Sequence, residues 1–255
     1  MVYFGSAIKL FTNELYRIYM ENANLSDVRR DAFSITKVRI FELIVFALFV
    51  FPSVFLAYFS KEMAEEGFIF TAATVISQNM ALLALILFFL WRNREPFSVL
   101  GWRSHGIMKE ISIGIMLFIP FSLLATLAEK LFLSMGLQPS TETLPAFLSA
   151  QGPYQMVLAG LLVVVVAVSE ETIYRGYLIL RFFGITKNMT AAVLISSFLF
   201  SFGHGYEGSA GVATVSMMGL FLALIYVWRR NLIPAVVIHF LQDFIGIIVT
   251  PLLTN

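Results

Sequence analysis

Long runs of apolar side chains constrain this chain more than any other feature of its sequence. Several runs reach the roughly 20 residues that a helix needs to cross the hydrocarbon core of a bilayer. Hydrophobic residues make up 59% of the 255 positions and charged residues only 13%, whereas about a quarter of a soluble domain is charged. The sequence therefore predicts an all-α, polytopic membrane protein.

Charged and turn-forming residues divide these runs into seven predicted spans. The spans cover residues 38–60, 68–90, 111–135, 154–174, 189–202, 211–228 and 232–253. The fifth is short for a full crossing, and four glycines follow it between Gly203 and Gly211, so a broken or re-entrant helix is a possible form for it. No polar linker or internal repeat divides residues 37–255, which we predict to form one membrane domain.

The N-terminal segment shows a different pattern. Ile8, Phe11 and Leu15 fall on one helical face, while Lys9 and Arg17 fall on the other. Residues 1–36 are thus predicted to form an amphipathic helix at the membrane interface. If this helix inserts instead, the chain has eight spans.

Basic residues recur in every second predicted loop, which predicts the orientation of the chain in the membrane. Lys and Arg are retained on the cytoplasmic side. The loops expected to face the cytoplasm contain Arg29, Arg30, Lys37, Arg39, Arg92, Arg94, Arg103, Lys109, Arg181, Lys187, Arg229 and Arg230.

Charge and cysteine content exclude several functions. Lys and Arg number 17 and Asp and Glu 16, so the net charge of +1 offers no broad basic surface for nucleic acid. The chain has no cysteine, which excludes disulfides, thiolate catalysis and Cys-based metal sites. Any chemistry must use oxygen or imidazole groups.

Ionisable side chains inside the spans are concentrated in the second half of the chain. Each costs on the order of 2.5–3.5 kcal/mol on insertion scales, so each needs a partner or a function. Glu42 and the neighbouring Glu129 and Lys130 are interpreted as structural. The other six are Glu170, Glu171, Arg175, His204, His239 and Asp243, and their clustering favours a functional site.

Helical spacing indicates which of these residues pair. Residues four apart share a helix face, so Glu171 and Arg175 suit an ion pair, and Glu170 is left as a carboxylate without a local cation. Burial in an apolar cavity disfavours the charged form of a carboxylate, which favours its use as a general base. By the same spacing, Asp243 is predicted to orient one ring nitrogen of His239.

Two kinds of hydrolytic site are compatible with these residues. Amide hydrolysis needs a base for water, donors for the oxyanion and a proton for the leaving amine, and Glu170 with the two histidines can supply all three. Alternatively, Glu170, His204 and His239 form a His₂Glu set that could bind catalytic zinc, although the usual H-E-x-x-H helix is missing. We expect the metal-free site.

The three motifs, taken in their order along the chain, resemble a known signature. Glu170-Glu171-x-x-x-Arg175, Phe200-x-x-x-His204 and His239-x-x-x-Asp243 resemble the signature of the CAAX-prenyl-protease, Abi and bacteriocin-processing family of intramembrane proteases. The resemblance implies about eight helices around a cavity that opens to the membrane or the cytosol. It also implies that the substrate is a peptide bond in a prenylated CAAX protein or in a membrane-associated peptide.

The resemblance implies roles for the same residues. Glu170 and His204 would activate water, His239 and residue 243 would stabilise the oxyanion, and Glu171 and Arg175 would support them. Position 243 is Asp here, whereas the prenyl-protease branch has Asn. Because an ionised Asp cannot donate a hydrogen bond, Asp243 must be protonated or must orient His239; we expect the latter.

Two other functions remain as alternatives. A proton-coupled transporter could use the buried Glu and His residues as a relay, although the sequence shows no inverted repeat. A non-catalytic membrane scaffold could keep the same fold.

Catalysis requires Glu170 and His204 to lie close together. The predicted spans instead place them toward opposite ends of the membrane domain. A re-entrant fifth segment would bring them together.

Overall fold

The computed structural model describes residues 36–50, 67–139 and 148–254, and it shows helices and turns without a strand in these ranges. The predicted interfacial helix over 1–36 lies almost wholly outside the described residues. We number the helices α1 (36–50), α2 (Phe68–Arg92), α3 (Ile107–Ser134), α4 (Gly152–Thr186), α5 (Met189–Phe202), α6 (Gly208–Arg229) and α7 (Ile233–Thr254). Short 3₁₀ turns lie at Phe97–Leu100 and Gly205–Glu207.

The helices agree with the predicted membrane spans in order and type, and residues 51–60 of the first predicted span lie outside the described residues. Five helical segments of the described chain are long and apolar enough to cross a bilayer, and the shorter apolar α5 lies between two of them. The chain is therefore an all-helical, integral membrane protein, and a total of seven or eight helices agrees with the described part.

Helix α4 differs from its predicted span, which ended at residue 174. It continues to Thr186 and comprises 35 residues, or about 52 Å at 1.5 Å per residue. Glu170 consequently lies near the middle of the helix and not toward its end. The prediction was wrong because it took Arg175 and Arg181 as boundary charges, whereas both side chains are fully buried within the protein.

A buried polar cluster explains how Arg181 is accommodated inside the fold. Its guanidinium contacts both oxygens of Glu95, at 3.0 and 2.6 Å, and its Nε lies 2.9 Å from Oε2 of Glu42. Glu42 also accepts hydrogen bonds from Arg92, Asn93 and Tyr177. The structural interpretation of Glu42 is thus confirmed, and Arg181 is an anchor between α1, α2 and α4, not a loop residue.

Helix α5 is shorter than the other apolar helices that could cross a bilayer. Its 14 residues span about 21 Å, less than the roughly 30 Å of a hydrocarbon core. The chain then turns through Gly203–Gly208 and returns as α6. Gly208 has φ +73°, and a side chain there would meet the backbone oxygens of Gln138 and Pro139. Because Gly208 has no Cβ, the short α5–α6 connection can pack against the backbone of these two residues.

Helix α4 is the central element of the packing. It contacts α2, α5, α6 and α7, and α3 packs against α6 and α7. Because α4 carries Glu170, α5 leads to His204 and α7 carries His239, this arrangement brings the three sequence motifs to one place.

Candidate active site

A π-helical segment, Glu171–Leu178, begins directly after Glu170 in α4. Such segments are rare, are typical of functional sites, and change the backbone hydrogen-bond pattern of the helix. The hydroxyl of Ser196 in α5 donates to the carbonyl oxygen of Tyr174 at 2.6 Å. This bond from a neighbouring helix supports a carbonyl within the widened turn.

Glu171 is held by two partners through one oxygen. Arg175 Nη1 donates to Oε1 at 2.7 Å, and Nδ1 of His239 donates to the same atom at 2.8 Å. Glu171 and Arg175 are 0% and 1% exposed, so water does not weaken this pair. The ion pair predicted from the i, i+4 spacing is confirmed. The bond from His239, which joins residues 68 apart in the sequence, could not be derived from spacing.

Arg175 is in turn supported by two neighbouring helices. Its Nη2 donates to the carbonyl of Gly219 in α6 at 3.3 Å, and its guanidinium carbon lies 4.2 Å from the ring centre of Phe200 in α5. The guanidinium thereby fixes the position of Glu171 relative to α5 and α6.

The carboxylate of Glu170 lies beside motif residues from other helices. Its Oε2 is buried and has no hydrogen-bond partner among the described residues, and it lies 3.9 Å from Nε2 of His239. About a fifth of the side chain is exposed. Glu170 also interacts electrostatically with His204, Asp243 and Glu171. The structure therefore places the predicted free carboxylate among the other motif residues.

The two nitrogens of the His239 ring have different surroundings. Glu171 orients Nδ1, and Oδ2 of Asp243 lies 3.4 Å from Nε2. Sequence spacing predicted that Asp243 would hold the ring. It does face one nitrogen, but the shorter contact comes from Glu171 on another helix. Nε2 is directed toward Glu170 and Asp243.

His204 lies in the turn after α5, where Nδ1 donates to the carbonyl oxygen of Phe200 at 3.3 Å. A carbonyl oxygen only accepts, so this bond places the proton on Nδ1 and leaves Nε2 with its lone pair in the neutral ring. The Phe200 ring lies 5.1 Å from that of His204 and 5.9 Å from that of His239. Phe200 thus packs against both imidazoles and Arg175.

The sequence pattern singles out Phe200 only by its spacing from His204, and it does not predict Ser196 and Gly219 as supporting residues. A Cβ on Gly219 would lie 3.0 Å from the Phe200 ring and 3.4 Å from Arg175 Nη2. A small residue at this point lets α6 approach the site. No local sequence signal distinguishes this glycine from the others.

The zinc alternative names Glu170, His204 and His239 as ligands. Across residues 36–50, 67–139 and 148–254, no group of three or more His, Cys, Asp or Glu side chains is placed to hold a metal ion. One of the three proposed ligands, His239, already donates through Nδ1 and faces two carboxylates through Nε2.

The segment that carries all of these residues also matches a known family. Residues 152–245 match the family model described as type II CAAX prenyl endopeptidase Rce1-like. Residues 152–245 are thus similar to this family of CAAX proteases. No curated protein and no solved structure matches the chain.

The matched residues include the whole site. Its limits enclose Glu170 in α4, His204 after α5 and His239 in α7. The CAAX-protease family is one of endopeptidases, and the match covers the four helices α4 to α7 that form the site, leaving α1 to α3 outside.

Proposed function

We propose that this protein is an intramembrane endopeptidase in which Glu170 activates a water molecule. The observation that carries the proposal is the state of Glu170: its Oε2 is buried beside His239 with no hydrogen-bond partner in the described part of the chain. The acidic neighbour Glu171 also has a buried Oε2 without a partner, but its Oε1 accepts hydrogen bonds from Arg175 and His239. One carboxylate is thus committed to structure, and the other is available for chemistry.

The first step is attack of water on the carbonyl carbon of the scissile bond. A carboxylate of Glu170 and the lone pair on Nε2 of His204 both accept hydrogen bonds, and a water molecule has two protons to donate, one to each. Glu170 takes one proton as the new C–O bond forms. The hydrogen bond from Nδ1 of His204 to Phe200 keeps the ring in the tautomer that this step requires.

The second step needs a donor for the carbonyl oxygen as it becomes an oxyanion. His239 supplies it through a proton on Nε2. Since Nδ1 already donates to Glu171, this is the imidazolium form, whose charge is flanked by Glu171 at 2.8 Å and Asp243 at 3.4 Å. Asp243 thus supports His239. Glu170 then passes its proton to the leaving nitrogen, and the C–N bond breaks.

The proposed substrate is a membrane-associated peptide or a prenylated CAAX protein, taken from the family that residues 152–245 match. Substrate and site meet in the bilayer, because the helices that carry the site residues are apolar spans. The site uses no metal in this proposal.

A paired cleavage assay tests the function. Wild type and Glu170→Gln are purified in detergent and incubated with a farnesylated CAAX peptide, each with and without a zinc chelator. We expect cleavage by the wild type, at least about 10³-fold loss in Glu170→Gln, since a missing member of a catalytic unit costs several orders of magnitude, and no effect of the chelator. Glu129→Gln is the matched control because Glu129 is an exposed glutamate on α3.

Each other outcome has a defined meaning. Cleavage by Glu170→Gln at the wild-type rate contradicts the proposed function. Inhibition by the chelator contradicts the metal-free mechanism. If the folded wild type cleaves only unlipidated peptides, the prenylated substrate is wrong and the peptidase function stands.

A further inference from the structure

We infer that the hydroxyl of Tyr206 is a second oxyanion donor of this site, and this inference rests on the proposed hydrolysis. Tyr206 lies in the 3₁₀ turn Gly205–Glu207, two residues after His204. Its ring centre lies 6.1 Å from that of His204, and 44% of the side chain is exposed. It therefore stands beside the site at a position that a substrate can reach.

The need for a further donor follows from the groups around Glu170. An oxyanion formed in a water-poor site requires preorganised donors. Asp243, Glu170 and Glu171 are acceptors when ionised, and both terminal nitrogens of Arg175 are engaged by Glu171 and Gly219. His239 then provides one donor, through Nε2.

Two tyrosines lie within electrostatic reach of Glu170, and their other neighbours distinguish them. Tyr174 interacts with Glu170 and Arg175, and its ring packs edge-on against Phe200 at 5.1 Å. Tyr206 interacts with Glu170 and with Asp243. Asp243 is also the residue next to Nε2 of His239, so Tyr206, beside His204 and within electrostatic reach of Asp243, is the tyrosine we assign to this role.

Glu207 gives this hydroxyl its position in the absence of substrate. The side chains of Tyr206 and Glu207 hydrogen-bond to each other. Gly211 leaves space for Glu207, since a Cβ at residue 211 would overlap the Glu207 side chain. On substrate binding, the single proton of the hydroxyl turns from Glu207 to the carbonyl oxygen. A neutral phenol suits this role, because it donates without adding charge.

The experiment combines Tyr206→Phe with Asp243→Asn. Removal of one oxyanion donor costs about 10²–10³-fold in kcat, so we expect Tyr206→Phe to lower kcat by about 100-fold with KM nearly unchanged. An asparagine at position 243 brings an amide donor to the same place. In the Asp243→Asn background, the loss caused by Tyr206→Phe should therefore shrink to about 10-fold or less. Tyr154→Phe, 91% exposed at the start of α4, is the matched control.

A binding measurement gives a readout that does not depend on turnover. A phosphonate analogue of the farnesylated peptide carries a tetrahedral anion in place of the scissile carbonyl and resembles the oxyanion. We expect Tyr206→Phe to weaken binding of the analogue at least about 10-fold. In the Glu170→Gln background, where the peptide is not cleaved, Tyr206→Phe should leave binding of the peptide unchanged. Tyr174→Phe should weaken analogue binding less.

The outcomes separate this inference from the proposed function. Unchanged kcat and analogue binding in Tyr206→Phe overturn the donor role, and so does a larger effect of Tyr174→Phe. Equal losses from Tyr206→Phe in the wild-type background and in the Asp243→Asn background overturn it as well. Full activity of Glu170→Gln instead overturns the proposed function.

Discussion

Nδ1 of His239 lies 2.8 Å from Oε1 of Glu171, and this bond joins the third sequence motif to the first. The same carboxylate oxygen accepts from Arg175. One buried glutamate therefore orients the imidazole on α7 and is itself fixed within α4. The position of Nε2, which faces Glu170, depends on this bond.

Loss of the carboxylate charge at 171 is expected to lower activity through His239. A carboxylate that orients a catalytic histidine is worth up to about 10⁴-fold in kcat in a Ser-His-Asp triad, and we expect Glu171→Gln to lose at least about 100-fold. Glu171 is fully buried, so KM should change little. Initial rates over a range of peptide concentrations give both constants.

Glu110→Gln provides the control for this variant. Glu110 is a second buried glutamate, paired with Arg229 and remote from the motif residues. It should lose stability without losing kcat per folded molecule. A parallel fall in kcat for both variants would mean that Glu171 acts through overall stability alone.

Removal of Arg175 is expected to destabilise the fold more than removal of the whole ion pair. Breaking one side of a buried pair costs about 3–5 kcal/mol because a charge is left uncompensated. In Arg175→Met, Glu171 is that charge. The double variant Glu171→Gln with Arg175→Met removes both charges and should recover part of the loss. Thermal unfolding in detergent measures the difference. A double variant less stable than Arg175→Met contradicts the role of the pair.

Two helical glycines are expected to respond in opposite directions to alanine. Alanine is favoured over glycine in a helix by about 0.8–1.0 kcal/mol. A Cβ at Gly160 meets nothing within 4 Å, whereas at Gly219 it meets Phe200 at 3.0 Å and the carbonyl oxygen of Ser197 at 3.3 Å. Gly160→Ala should keep or raise the unfolding temperature, and Gly219→Ala should lower it.

Activity measurements extend the same comparison. Gly219→Ala displaces the Phe200 ring, which contacts both histidines, so its kcat should fall while that of Gly160→Ala stays at the wild-type value. Equal activity and stability for the two variants would show that the close approach of α6 to α5 has no functional consequence.

The proposed orientation in the membrane can be tested by cysteine labelling, because the chain has no cysteine of its own. Met108 and Met135 lie at opposite ends of α3 and are 73% and 66% exposed. Met108 is next to the basic loop that contains Arg94 and Arg103. We expect an impermeant maleimide added to intact cells to label Met135→Cys and to label Met108→Cys only after the cells are opened. The reverse pattern contradicts cytoplasmic basic loops.

The sequence by itself determined the fold class and the choice of residues. Apolar runs of membrane length leave helices as the structure that satisfies backbone hydrogen bonds in lipid, and the i, i+4 spacing of Glu171 and Arg175 sufficed for their ion pair. Polar side chains inside apolar spans singled out Glu170, His204 and His239, since each is costly there without a function.

The tertiary structure decided the length of α4, the depth of the site and the partner of His239. Arg175 and Arg181 are compatible with an apolar helix only because Glu171, Glu42 and Glu95 meet them there, and these contacts come mostly from distant parts of the chain. The bond from His239 to Glu171 and the packing of Phe200 also join different helices. Spacing along one helix predicts contacts on that helix alone, so only the packing of α4 to α7 could fix them.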